Sequence, residues 1–292
     1  MFGTNVVTVV AVVVLSLGLA PASYAAAPNP KAVEVYKQGI AKKAAGDVAG
    51  AQALFEQCLT IDSTYGRCHF SLGVLLKQQQ KLDGAETHFR AAVAAYPTWG
   101  QAHLSLAHTL VKKGDTMHAR VEIEAALADP DLERDDRAQA WNTRGVLDRK
   151  EELWADAVRA YDKALEIDPS SAIFTQNKAL ALAKLEGQLE AAIATSKRAV
   201  QLAPKDASVI EFQARLLSRA RRWAEAAAAF RVATTLAPES ADFWLGLADT
   251  AYEADLKPDA IDGYERYLKL APTTVDLRGT KARLEKLKAA KP

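Results

Sequence analysis

Small and apolar residues return along this chain at a fixed step of 34 positions. Gly39, Gly73 and Ala107 form one series, Ala51, Ala85 and Ala119 a second, Phe55, Phe89 and Ile123 a third, and Cys58, Ala92 and Ala126 a fourth. Within one copy, Ala51, Phe55 and Cys58 stand four and three apart, which puts them on one helix face. After a short interruption the pattern resumes with Gly145, Ala157, Tyr161 and Ala164, then Ala179, Ala192 and Ala199. It continues with Ala214, Ala226, Phe230 and Ala233, and ends with Ala248, Ala260, Tyr264 and Tyr267. Proline closes most copies, at Pro97, Pro169, Pro204, Pro238 and Pro272, because it lacks an N–H donor and clashes with the preceding turn. Gly46-Asp47 and Gly114-Asp115 mark a break inside a copy, since glycine accepts the left-handed backbone that ends a helix. Two breaks per period predict one helical hairpin per copy.

These residues resemble the tetratricopeptide repeat, a 34-residue unit of two helices. The nearest copy runs from Trp141-Asn142-Thr143-Arg144-Gly145 through Ala157, Tyr161 and Ala164-Leu165 to Asp168-Pro169. Seven copies in phase cover about residues 32 to 274. The resemblance implies an all-α fold, a right-handed superhelical solenoid of helix-turn-helix repeats stabilised by stacking each hairpin on its neighbours. The expected organisation is three units over 32–130, a charged insertion over 131–137 and four units over 138–274. A capping helix and tail follow over 275–292, with Val275, Leu277, Leu284 and Leu287 as the apolar side. The insertion delays the fourth copy and is expected to bend the superhelix. One extra residue near 184–188 is expected to lengthen the turn inside the fifth unit.

Residues 1–25 differ from the rest, carrying no Asp, Glu, Lys or Arg. An apolar stretch from Val6 to Ala20 precedes Pro21 and the small residues Ser23 and Ala25, the arrangement of a secretory signal peptide cleaved after Ala25. The other reading is a retained membrane anchor, for which a stretch of roughly 15 residues falls short of the usual ~20. The two readings place the mature chain in the periplasm or outside the cell, or tether it to the membrane.

Composition narrows the classes of function. The chain carries 37 basic and 36 acidic residues over 292, a net charge of +1. That balance argues against nucleic acid as a partner, which calls for a concentrated positive field. No nucleophile motif, phosphate-binding glycine loop or His-Glu metalloprotease pattern occurs, so the expectation is a non-enzyme without cofactor. Five histidines, at 69, 88, 103, 108 and 118, show no metal-ligand spacing of three or four. His69 and His103 take the place of Trp141 and Trp244 in later units and read as packing. The two cysteines, Cys58 and Cys68, admit two readings. An exported chain permits a disulfide between them, or Cys58 fills the small-residue slot held by Ala92 and Ala126.

The family resemblance implies a binding groove lined by the first helix of each unit. Carried over copy by copy, its lining is Tyr36, Lys43, Arg67, Phe70, Lys77, Leu104, Lys112, Asn142, Arg149, Gln176, Lys184, Arg215, Arg219, Asp249 and Tyr252. The middle of this set is basic with amides, and the last unit is acidic. Basic and amide groups suit the carboxylates and backbone of a protein or peptide partner. A Lys/Asn/Asn/Lys/Arg clamp for a C-terminal carboxylate is absent, because Tyr36, Ile40 and Ser71 stand at three of its positions. The expected function is therefore a protein-interaction scaffold in the cell envelope. The alternative is a regulatory subunit that docks a catalytic partner by its convex face or end cap.

Overall fold

The computed structural model describes residues 27–271 and 279–289, and every regular element among them is an α-helix. Unit one pairs α1 (Pro30–Ala44) with α2 (Val48–Ile61), and unit two pairs α3 (Gly66–Gln78) with α4 (Leu82–Ala95). Units three and four are α5 (Gly100–Lys113) with α6 (Thr116–Ala128), and α7 (Arg134–Lys150) with α8 (Trp154–Ile167). Unit five is α9 (Ala172–Leu182) with α10 (Leu189–Leu202), and unit six α11 (Ala207–Arg219) with α12 (Trp223–Leu236). Unit seven joins α13 (Ala241–Glu253) to α14 (Lys257–Leu270), and α15 (Thr280–Ala289) closes the stack. The chain is thus an all-α superhelical solenoid. The N-terminal apolar stretch, Val275 and Leu277 lie outside the described residues.

Each hairpin turns at one left-handed residue. Gly46 and Gly114 do so at φ 80° and 86°, and Gly187 at 71°. The other four units force a side chain into the same place, at Gln80, Glu152, Arg221 and Asp255, with φ between 56° and 61°. Such a conformation costs roughly 1–2 kcal/mol in an L-residue, so packing of the flanking helices must hold these turns. Polar caps define several helix starts: Asp47 accepts from Gly50 N at 2.9 Å and Ser171 from Phe174 N at 3.3 Å, satisfying donors the helix leaves open.

The recurring glycine and ring positions meet inside the hairpin. A Cβ on Gly39, Gly73 or Gly145 would come within 2.6–2.8 Å of Phe55, Phe89 or Tyr161, sixteen residues later on the paired helix. Bare glycine backbone therefore lets a fully buried ring lie flat on the first helix. The other side of the ring serves the next unit, and Phe55 clusters with Leu72 and Leu75.

The expected charged insertion is half helix. Residues 134–137 extend α7 to 17 residues, and Leu132 is buried against the third unit. Arg137 explains the folding of this stretch, donating to the carbonyls of Leu127 and Asp129 at 3.2 and 2.7 Å. Across the same join, buried Asp148 accepts from Arg120 at 2.7 Å and Arg144 at 3.2 Å. The turn inside unit five spans 183–188 and is longer than the three-residue turn at 220–222. Among the described residues the capping helix runs from Thr280 to Ala289.

Candidate functional site

First helices of successive units touch directly, α3 with α5, α5 with α7, α7 with α9 and α11 with α13, whereas second helices make no comparable contact among the described residues. The first helices therefore lie on the inside of the curve and form its concave wall. A hollow of about 630 Å³ opens at the C-terminal end between α11, α13 and α15. Phe230, Leu245 and Gly246 contribute apolar lining, Arg215 and Arg221 stand on one side, and Asp242, Asp249 and Glu253 on the other. Gly246 has no side chain because a Cβ there would meet the Phe230 ring at 2.4 Å.

The cap takes part in this hollow. Arg283 of α15 lines it and donates to Asp249 Oδ1 at 3.2 Å, beside a Tyr264 hydroxyl that donates to the same carboxylate at 3.0 Å. Its guanidinium lies 4.9 Å from the Tyr252 ring. Burial first, and the Asp249 carboxylate with it, push the Tyr264 hydroxyl above its ordinary pKa. Arg215 is exposed and bonded to Glu211 within α11.

The middle of the concave wall is more closed. His108 Nε2 donates to Thr143 Oγ1 at 2.8 Å, and Thr143 passes its own hydrogen to Gln139 O at 2.8 Å. Burial, with Lys77 and Lys112 nearby, takes the His108 pKa down to about 4, so the ring is neutral near pH 7. Burial also pulls Lys77 below the usual lysine range, helped by Lys112, and its ammonium lies 5.9 Å from the Phe89 ring. Asn177 donates to Asn142 Oδ1 at 2.8 Å, linking units four and five. Arg149 Nε and the Tyr161 hydroxyl are both buried, and neither meets a partner at full hydrogen-bond geometry among the described residues.

The sequence-based lining is brought together only in part. Arg215 and Asp249 meet in the large hollow with Arg283, which lies beyond the repeats. Tyr252 flanks it through its contact with Arg283. Leu104 is corrected: it is 3% exposed and packs with Phe89 and Leu106 in the core. Phe70 is half-buried, stacked 4.5 Å from Trp99 and 5.7 Å from Phe89, and Tyr36 packs on Phe55 and Tyr65. Arg219 donates to Ala183 O at the end of the preceding first helix, a partner for its charge at a helix C-terminus. Lys184 lies 5.8 Å from the Trp154 ring. Lys43, Lys112 and Gln176 stand on the first helices or their ends with no partner that decides a role. Arg67 lies elsewhere, in a second hollow at the edge formed by the inter-unit loops.

Cys58 and Cys68 form a disulfide with Cα atoms 6.4 Å apart, and both are fully buried beside Ala32, Tyr36 and Tyr65. The bridge ties α2 to α3. His69 and His88, nineteen residues apart on paired helices and so outside any single-helix spacing of three or four, stand with Nδ1 atoms 2.9 Å from each other. One unit later His103 and Glu122 repeat that separation at 2.6 Å. His69, His103 and Trp244 each hydrogen-bond the carbonyl six residues back, at Ser63, Pro97 and Pro238. Histidine thus takes the place of the Trp244 indole N–H. Among the described residues, no group of three or more metal-ligating side chains comes together.

Family models described as tetratricopeptide repeat match residues 43–108, 104–172, 142–207 and 213–273. No curated protein sequence matches the chain. Among solved structures, PilF of Pseudomonas aeruginosa is 18% identical, with a TM-score of 0.63 over 76% of this chain and 97% of that one. PilW, described as a widely conserved type IV pilus biogenesis factor, is 16% identical with a TM-score of 0.59, over 89% of this chain and all of that one. YrrB, described as a repeat protein with an unusual peptide-binding site, is 20% identical with a TM-score of 0.55, over 68% and 97% of the two chains. At these identities the likeness is one of fold.

Proposed function

Since the chain belongs to the tetratricopeptide-repeat family, whose members act as protein-interaction scaffolds, we propose that it is a non-enzymatic adaptor that holds a protein or peptide segment along its concave face. The observation that carries this reading is the roughly 630 Å³ hollow between α11, α13 and α15, with apolar lining and walls of opposite charge. Apolar groups there would anchor side chains, and the facing charges would fix direction and register. The peptide-binding site named for YrrB supports the same use of the fold.

The setting we propose is the bacterial cell envelope. Its supports are the apolar first 25 residues and a fully buried disulfide, which persists in oxidising compartments. The pilus role named for PilW points the same way. No helix among the described residues is long and apolar enough to cross a membrane, so a membrane tether would rest on residues 1–25. Intact mass of the protein recovered from cells decides between cleavage after Ala25 and retention.

A second reading has its own observation. Met117 and Val121 are 76% and 63% exposed, one turn apart on α6, and would suit docking of a catalytic partner on the convex face. Affinity capture from envelope extract with wild type, Arg215→Glu and Met117→Glu separates the two. A partner lost only with Arg215→Glu supports the concave face; one lost only with Met117→Glu overturns it in favour of the outer face.

A further inference from the structure

A second hollow, about 360 Å³, lies on the loop edge and is lined by Arg67, Tyr96, Thr98, Trp99, Asp129 and Asp131. Its lining comes from three consecutive places in the stack. Arg67 is at the start of α3, Tyr96 to Trp99 form the loop into α5, and Asp129 and Asp131 begin the connection to α7. The sequence therefore lays out a cation, an aromatic stretch and carboxylates in spatial order. Tyr96 and Trp99 stand 5.8 Å apart with ring planes at 78°, and Phe70 backs Trp99 at 4.5 Å. Two close approaches build this edge: a Cβ on Gly66 would lie 2.7 Å from the Tyr96 ring, and one on Gly100 would lie 2.8 Å from Asp129.

The charges at the two ends differ in how they are used within the fold. Asp129 is occupied, accepting from Gly100 N at 2.8 Å and Asp131 N at 2.9 Å. The Asp131 carboxylate and the Arg67 guanidinium are exposed and have no side-chain partner among the described residues. Half-exposed rings between two such charges suit the stem of a long side chain, whose cation gains from both ring and carboxylate.

We propose that this loop edge is a second binding site, for a short extended peptide that carries an acidic residue at one end and a Lys or Arg at the other. Arg67 takes the carboxylate, Trp99 and Tyr96 cover the apolar middle, and Asp131 takes the cation. First helices of neighbouring units pack roughly 8–10 Å apart, and an extended chain advances about 3.3–3.6 Å per residue. Two such steps therefore match a segment of about five residues. The charged stretch that interrupts the repeat thereby gains a role, since its first residue supplies the acidic end. The site is separate from the concave face and stands or falls without it.

The test is a titration of the purified protein with acetyl-EAVAK-amide and its uncharged counterpart acetyl-QAVAQ-amide. Binding is followed by the indole NMR signal that Trp99→Phe removes. Wild type is expected to bind the charged peptide roughly fivefold more tightly. Arg67→Gln and Asp131→Asn, both at exposed positions, should each reduce that preference about two- to threefold, as removal of an exposed ion pair does. Arg215→Glu should leave it unchanged. Equal affinity for the two peptides overturns the proposal, as does wild-type behaviour of both loop-edge variants. Loss of binding in Arg215→Glu also overturns it, by moving the site to the concave face.

Discussion

Units one to three and units six and seven share one 34-residue frame and put it to opposite uses. In the first region a buried disulfide joins α2 to α3, and Phe70, Phe89 and Trp99 stack across the second and third units. Every histidine of the chain, from His69 to His118, belongs to this region. In the second region no disulfide or stacked ring pair joins successive units among the described residues, and a hollow of about 630 Å³ stands open between charged sides. The positions that make the hairpin are the same in both, Gly73 under Phe89 and, again sixteen residues apart, Ala248 clustered with Tyr264. Scaffold and site are therefore written mostly in different residues: the frame in the small and aromatic positions, of which Phe230 also lines the hollow, and the site in what faces the curve.

Acid should separate the two regions most strongly. His108 has its pKa depressed to about 4 by burial and by Lys77 and Lys112, so its contribution is complete above about pH 6.5 and is lost as pH falls towards 4. The shift corresponds to on the order of 3 kcal/mol. His88 is depressed too, by burial and then by His69, and weakens unit two over the acid side of the same window. His103 has the opposite sign. Burial opposes its charged form, but Glu122 and the Pro97 carbonyl raise its pKa, so its contribution is present in acid and lost as pH rises past that raised value. Hydrogen exchange from pH 7 to 4.5 should show α3 to α7 losing protection before α11 to α14. His108→Gln should flatten that difference.

Reduction of the disulfide comes next. Bridging ten positions in sequence is worth about 2–3 kcal/mol by loop closure. Cys58→Ser with Cys68→Ser should lower the protection of α1 to α3 and leave α11 to α14 unchanged, because repeat stability is carried between neighbours. Gly73→Ala should cost roughly 1–3 kcal/mol in a urea melt, since Phe89 is fully buried and cannot step aside. The smallest effect is a gain: Gln80→Gly should relieve a left-handed residue at φ 60°. The chain then stabilises by up to about 1 kcal/mol, less the added freedom of the unfolded chain.

The fold was legible in the sequence because a period repeated seven times leaves little freedom, and Gly46, Gly114 and the buried rings stand where the period puts them. The site was less legible for identifiable reasons. Projecting one unit onto the next assumes that equivalent residues face the same way, and Leu104 instead turned into the core. Arg219 was spent on the end of the preceding helix at Ala183. Arg283 lies outside the repeats, so no copy could point to it. The histidine pair spans two helices, so no spacing along one helix points to it, although the same nineteen-residue separation recurs at His103 and Glu122.

Hydrogen–deuterium exchange of the purified protein, with and without a saturating partner segment recovered by the capture experiment, tests the central claim most directly. Concave binding predicts new protection on α11, α13 and α15, abolished by Arg215→Glu, with α6 unchanged. Protection confined to α6 and the other second helices would contradict it.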